Sequence, residues 1–509
     1  MVSIEILCGR LAQALGPDHV SVDPRELASG MADLFPFPQP ERAAVIIRPG
    51  SSAEVARCAR LASEAGYPIV GRGAGLSYTR GLTARERAVI VDTARLSQID
   101  IQADDCYAVV GAGVTWQALS EQLEPLGLKS LVPGPISGAA STVGGAVSQY
   151  VPGSMDGVLG VRVVLSDGTF VTTGSASRAG ASPFHRHAGP DLTGLFIGDC
   201  GAFGIKTEVV LRLVRRQPAA FASFAYVDPV AMIADLIELR QASTVTRILA
   251  LDQSRGQDAS RPEAGEALRS AAALASSSGS AFGAVRELAS MVRGKFELAA
   301  ARWSLHLTAE GPSVMIAEQM MALARERCQQ SAREIEAVVP KALHARPYSI
   351  RGFVGVEGER WVPVHGMVPL SRAATCFQEL RMILDAEQDA MAAAGVQHGC
   401  LIACPAAYVT IEPMFFWRDA LDELHFQHLS ERNRSRFSGR TPNPEAREVV
   451  IRIRERLRDC FERHDAVHAQ VGRFYRHISR LDAGSAELVQ RLRKALDARG
   501  LMNPGVLNA

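Results

Sequence analysis

Seven consecutive residues, Gly71-Arg72-Gly73-Ala74-Gly75-Leu76-Ser77, form the part of this 509-residue chain best suited to grip an anion. Gly71, Gly73 and Gly75 allow positive backbone angles and close approach, so successive N–H groups can converge on a phosphate. A dinucleotide fingerprint of the nicotinamide type would run on into a helix and meet an acidic residue roughly 20 positions later. Here Ser77-Tyr78-Thr79-Arg80-Gly81 follows without helical period and leads to the strand-like residues 88–92. The turn therefore joins two strands, and a diphosphate nest of another kind is expected.

Other residues have types that can move protons or hold charge. In Tyr475-Arg476 the arginine brings a permanent positive charge and the tyrosine a short hydrogen bond. The same pair also fits a packed tyrosine beside a surface ion pair. His365 lies in the apolar run Trp361-Val362-Pro363-Val364-His365-Gly366-Met367-Val368, where it is either a base or a satisfied core group. Tyr408, Thr410 and Glu412 alternate onto one face of a strand while Val409, Ile411 and Phe415 take the other. That polar face either lines a cavity or pairs Glu412 with an arginine. His398-x-Cys400-x-x-x-Cys404 lacks the further ligands a tetrahedral site needs, and no metal is expected.

The elements that must position these groups read as α+β. Residues 44–49 form a strand, Ser51 and Glu54 cap a helix through Ala65, and Gly66 ends it. Residues 107–114 form a strand, followed by a Thr115-capped helix that buries Trp116, Leu119 and Leu123. Asp167-Gly168 marks a hairpin, and the Gly198–Ile205 cluster leads into the strand 206–213. Later come a Ser371-capped helix bearing Phe377, Leu380, Leu384 and Met391, and the strand 407–417. Residues 253–283, rich in Ala, Ser, Gly and Arg, are expected to form a mobile excursion with a short helix over 267–274.

Bulk properties limit the functions available. The length calls for two or three domains. With Lys+Arg 55 against Asp+Glu 54, no basic field favours a nucleic-acid partner, and a small molecule is the expected ligand. Nine scattered cysteines, an odd number, suit reduced thiols in a cytoplasmic setting rather than a disulfide framework. No signal peptide and no membrane span are read.

Taken in order over residues 35–218, these segments resemble the FAD-binding domain of the vanillyl-alcohol oxidase/p-cresol methylhydroxylase superfamily, and residues 492–505 resemble its usual ending. The resemblance implies a helical segment over 1–34, an FAD domain over 35–218, a substrate domain over 219–470 built on an antiparallel sheet with helices, and a return to the FAD domain over 471–509. It also implies that Gly71, Arg72, Gly73, Ala74, Gly75, Leu76 and Ser77 bind the pyrophosphate. Pro133, Gly134, Gly138, Ser141, Gly144, Gly145 and Ser148 would line the flavin and its ribityl or phosphate chain. Ile205 would reach the adenine side through its backbone, and Asn503 joins the cofactor set through the tail. Many relatives tether flavin through a histidine in a Gly-Gly-His-Ser loop, but Leu76 stands here between Gly75 and Ser77. A second tethering strand, residues 406–412, has no histidine and leaves only Tyr408, so noncovalent FAD is expected.

Flavin oxidation of an alcohol needs hydride loss from carbon and a group to take the hydroxyl proton. Tyr475-Arg476 resembles the pair with which the phenol-oxidising branch holds a phenolate, favouring a phenolic or aryl alcohol as substrate. The alternatives are a D-2-hydroxy-acid dehydrogenase of the D-lactate or glycolate type, passing electrons to a protein or quinone, and a flavin-binding electron-transfer subunit. The His-x-Gly-Asp-Gly-Asn-x-His and Gly-Glu-His-Gly motifs of the hydroxy-acid branch are absent, although Arg351 or Arg476 could hold a carboxylate. Oxygen or a redox protein is the expected electron acceptor, and a homodimer the expected assembly.

Overall fold

The computed structural model describes residues 2–35, 42–83, 87–151, 153, 155–255, 292–348, 353–355 and 357–507. Arg351 and the expected excursion from residue 256 onward, including its short helix, lie outside them.

The glycine nest hangs from a four-stranded sheet. Its strands run in the order Val20–Ser21, Val45–Ile47, Val89–Asp92, Ile69–Arg72, the last three parallel. Alternation sorts their side chains. Val45, Ile47, Val89 and Val91 pack with Val55 and Ala59 of helix Ser52–Ala65 and Leu7 and Leu11 of helix Ile4–Leu15. Ile46, Val70 and Ile90 turn to the other side, against Met31 and Leu82. Helix Ser52–Ala65 has the anticipated ends: Ser51 accepts from the Glu54 amide, and Gly66 closes it at φ 82.

A second, antiparallel sheet orders Ile99–Gln102, Tyr107–Gly111, Ile205–Arg215, Val158–Val164 and Phe170–Thr172, with Leu128–Ser130 on the far end of Ile205–Arg215. The Asp167-Gly168 hairpin forms, with Gly168 at φ 85. Thr115 caps the helix that buries Trp116, Leu119 and Leu123.

The third sheet has eight strands. Tyr408–Trp417 lies between Val396–Ala406 and the pair Arg360–Pro363 and Gly366–Pro369. Helices Ala373–Ala386 and Pro444–Arg463 contribute Phe377, Leu380, Ile453 and Leu457 to its core. Two local expectations fail there. Ser371 sits within the 3-10 turn Leu370–Arg372, which feeds the helix directly, so no side chain caps it. Met391 belongs to the separate helix Gln388–Ala393, because the chain leaves helical geometry at Glu387.

The expected strand around His365 is also split. Its register continues from Pro363 opposite Met414 to Gly366 opposite Ile411, which sets His365 level with Glu412. The His365 amide donates to the Tyr475 hydroxyl at 2.8 Å, and its carbonyl accepts from His468 Nδ1 at 2.8 Å. Side chains thus take both backbone groups of His365, which explains the gap in the ladder.

Candidate active site

One cavity of about 390 Å³ runs from the glycine turn to the third sheet. Gly71 to Ser77 form one wall, with Ser141, Gly144, Gly145, Ser148 and Ile205 beside them. Trp361, Leu401, Thr410, Glu412 and Met414 stand on the sheet side.

At the turn, the amides of Gly73, Ala74, Gly75, Leu76 and Ser77 have no protein acceptor among the described residues. Five adjacent donors facing a cavity are what a diphosphate would satisfy. The cradle also lacks space for side chains. A Cβ on Gly73 would collide with Thr142 Oγ1, and one on Gly75, at φ 78, would come within 2.7 Å of Arg72 Cζ. Arg72 is buried and its Nη1 donates to the carbonyls of Gly30 at 3.1 Å and Ala32 at 2.8 Å, bracing the loop from behind. His428 Nε2 lies 3.0 Å from the Ala74 carbonyl and braces the loop from the end of helix Glu423–His428.

On the sheet side of the cavity stands a cluster of titratable side chains. Glu412 Oε1 lies 3.5 Å from the Tyr78 hydroxyl, which also accepts from Gln470 Nε2 at 2.7 Å and lies 3.4 Å from His365 Nδ1. Tyr475 Oη is 3.3 Å from that same nitrogen. His365 Nε2 is 3.0 Å from the Ala469 carbonyl, so Nε2 carries the proton and Nδ1 the lone pair. Burial drives His365 down to about 3 and keeps the ring neutral. Burial pushes Glu412 the opposite way, to about 7, against the charge of Arg255.

Beneath the cluster, Arg454 is fully buried, held by the carbonyls of Pro363 at 2.9 Å and Tyr78 at 3.1 Å. Its guanidinium lies 4.2 Å from the Phe474 ring centre and 4.9 Å from that of Phe35. It makes no ion pair among the described residues, and Nη1 has no partner. Desolvation lowers it to about 10, which still leaves a permanent positive charge under Tyr78 and Tyr475.

The model for the FAD binding domain family matches residues 43–174, the stretch that contains the nest. The mitochondrial D-lactate dehydrogenase (cytochrome) of Arabidopsis thaliana is 30% identical over 222 residues, 41% of this chain and 37% of that protein. The chain thus spans about two-fifths of the length of that relative. Over almost the whole chain, p-cresol methylhydroxylase with substrate bound superposes with a TM-score of 0.74 at 16% identity, covering 99% of this chain and 97% of that one. The 4-ethylphenol oxidase of Gulosibacter chungangensis gives 0.71 at 18%, with coverages of 100% and 98%.

The chain has the fold of p-cresol methylhydroxylase and 4-ethylphenol oxidase. Most of the anticipated cofactor residues meet in one cavity: Gly71 to Ser77, Gly134, Ser141, Gly144, Gly145, Ser148 and Ile205 all line it. Pro133 and Gly138 do not. The Pro133 carbonyl accepts from Tyr348 at 3.0 Å, and Gly138 is pressed against the Tyr348 ring and Trp116. Asn503 is a clasp behind the nest, and its side chain is used up by protein. Nδ2 donates to the Gly81 and Cys200 carbonyls at 2.9 and 2.7 Å, and Oδ1 accepts from Arg473 at 2.8 Å. Through Leu501 and Asn503 the tail also bonds both backbone groups of Ile69, the first residue of the strand that carries the turn.

Among the proposed chemical residues, His365 and Glu412 face the cavity and Tyr475 stands behind His365. Arg476 points elsewhere, paired with Asp459 at 2.9 Å and Glu462 at 2.7 Å. Tyr408 is not part of the lining. Tyr78, Gln470, Arg454, Arg255, Thr142 and the buried Lys206–Asp199 ion pair had no signal of their own in the sequence.

Proposed function

We propose that this chain is an FAD-dependent oxidoreductase that oxidises a hydroxylated small molecule with an aromatic or otherwise flat apolar body, and that it holds FAD noncovalently. The observation that carries the reading is the single cavity joining the unsatisfied amides of Gly73–Ser77 to the Glu412–Tyr78–His365 cluster. The nest would hold the pyrophosphate, and Ser141, Gly144, Gly145 and Ser148 the flavin half. FAD held there supplies the acceptor for the hydride that leaves the carbinol carbon.

The protein's own part is binding and proton handling. Leu249, Trp361, Leu401 and Met414 supply an apolar wall that receives the substrate body and excludes water. Glu412, near half-ionised at neutral pH, takes the hydroxyl proton as the carbonyl forms. Tyr78 donates toward the Glu412 carboxylate, and Gln470 fixes that hydroxyl from its other side. Arg454 offsets negative charge gathering on this cluster, a role that a permanently charged, pre-oriented guanidinium performs without reorganisation. His365, neutral and bonded on every polar atom, positions Tyr78 and Tyr475 rather than accepting the proton itself.

A second reading rests on Arg255, whose guanidinium lies 5.3 Å from the Phe416 ring centre and which lines the same half of the cavity. A D-2-hydroxy acid would place its carboxylate on Arg255 and its hydroxyl at Glu412. Anaerobic mixing with a panel of phenolic and aryl alcohols and D-2-hydroxy acids separates the two. Bleaching by the aromatic alcohols supports the first reading. Bleaching by the hydroxy acids alone, abolished in Arg255→Met, supports the second.

A further inference from the structure

Outside the flavin cavity, helices Ala373–Ala386 and Pro444–Arg463 meet through two fully buried thiols, Cys376 and Cys460. His464 caps the second helix, and the two sulfurs and a ring nitrogen of His464 lie within 4.8 Å of one another. Nε2 of that ring is 2.7 Å from Glu379 Oε2, while Arg463 pairs with the other Glu379 oxygen. Nδ1 is buried with no partner among the described residues.

We propose that Cys376, Cys460 and His464 bind a thiophilic divalent cation of the zinc class. Two thiolates and an imidazole are the donor set such an ion selects, and a Cys-x-x-x-His spacing presents both groups on one side of a helix end. Tetrahedral metal–sulfur and metal–nitrogen bonds of about 2.3 and 2.0 Å would require the three atoms to close in by at most ~1.3 Å. Glu379 completes the arrangement. By accepting from Nε2–H it selects the tautomer whose lone pair sits on Nδ1, the usual carboxylate–histidine support of a metal ligand. Charge favours a dication: two thiolates neutralise it within an apolar helix interface, and Arg463 balances Glu379. The His464 side chain retains 13% exposure, which leaves a solvent-side approach for the ion and for a fourth ligand. The ligands come from two helices distant in sequence, so no linear motif reveals them.

The test uses the full-length flavoprotein in a non-thiol reductant, freed of metal and titrated with Co²⁺, then with Zn²⁺. The site predicts one cobalt per chain, tetrahedral absorption to the red of the flavin bands, and loss of that absorption when Zn²⁺ is added. Cys460→Ser and His464→Ala should lose the signal while keeping their flavin and circular dichroism, and Cys404→Ser, a buried thiol elsewhere, should keep it. Absence of the band in the wild type, or an undiminished band in Cys460→Ser, overturns the proposal. Thiol loss without bound metal, which would mark a Cys376–Cys460 disulfide, overturns it too.

Discussion

Gly75 and Glu412 carry the account at the scale of single residues. Gly75→Ala forces a side chain into a left-handed position, at a cost of about 1–2 kcal/mol, and against Arg72. The turn must shift to relieve it, and FAD binding, measured by fluorescence on titrating apoprotein, should weaken roughly tenfold or more. Glu412→Gln should slow flavin reduction by roughly 10²–10³-fold and remove the rise in rate with pH through about 7. Stability responds in the same direction. The folded value of about 7 lies above the unfolded one, so the stability conferred by the neutral form is full below the unfolded value and is lost as pH rises through about 7. Glu412→Gln should therefore melt higher than wild type in alkaline buffer and show little difference below pH 4.5, the ordinary glutamate value, as calorimetry can check. Leu76 makes a separate prediction: acid-precipitated protein should release its flavin into the supernatant, whereas flavin left in the pellet would show a covalent link.

At the scale of elements, much of what positions the site was legible. The nest is local, so its glycines and its strand-to-strand setting announce themselves, and alternation along Tyr408–Trp417 set Thr410 and Glu412 on one face. What stayed hidden depends on long-range packing. Arg454 sits in an arginine-rich amphipathic helix, Arg-Ile-Arg-Glu-Arg-Leu-Arg-Asp over residues 452–459, where nothing local separates the fully buried guanidinium from the exposed Arg452 and Arg456 or the half-buried Arg458. Tyr475 and Arg476 are adjacent, so their side chains diverge, one under His365 and the other onto Asp459 and Glu462. Arg476→Ala should accordingly change the flavin-reduction rate by less than about threefold, as expected for a partly exposed ion pair. Tyr475→Phe removes the acceptor of the His365 amide and should cost more, both in rate and in melting temperature.

For the whole molecule, the two halves of the cavity belong to different sheets held together by long-range contacts: Tyr78 to Glu412, Arg454 to the Tyr78 carbonyl, and His428 to the Ala74 carbonyl. FAD bound at the nest would contact Ala74 and Tyr78, which these contacts hold in place, so it should raise the melting temperature in a concentration-dependent way. On the proposed reading, the same architecture joins cofactor binding to proton removal in one compartment. Stopped-flow anaerobic reduction of wild type and Glu412→Gln with the substrate panel tests that junction most directly. A flavin band that bleaches with a hydroxylated substrate in the wild type, and bleaches far more slowly in a Glu412→Gln variant with full FAD content, is the predicted result. Equal rates in the two proteins across pH, or no bleaching by any hydroxylated compound, would contradict it.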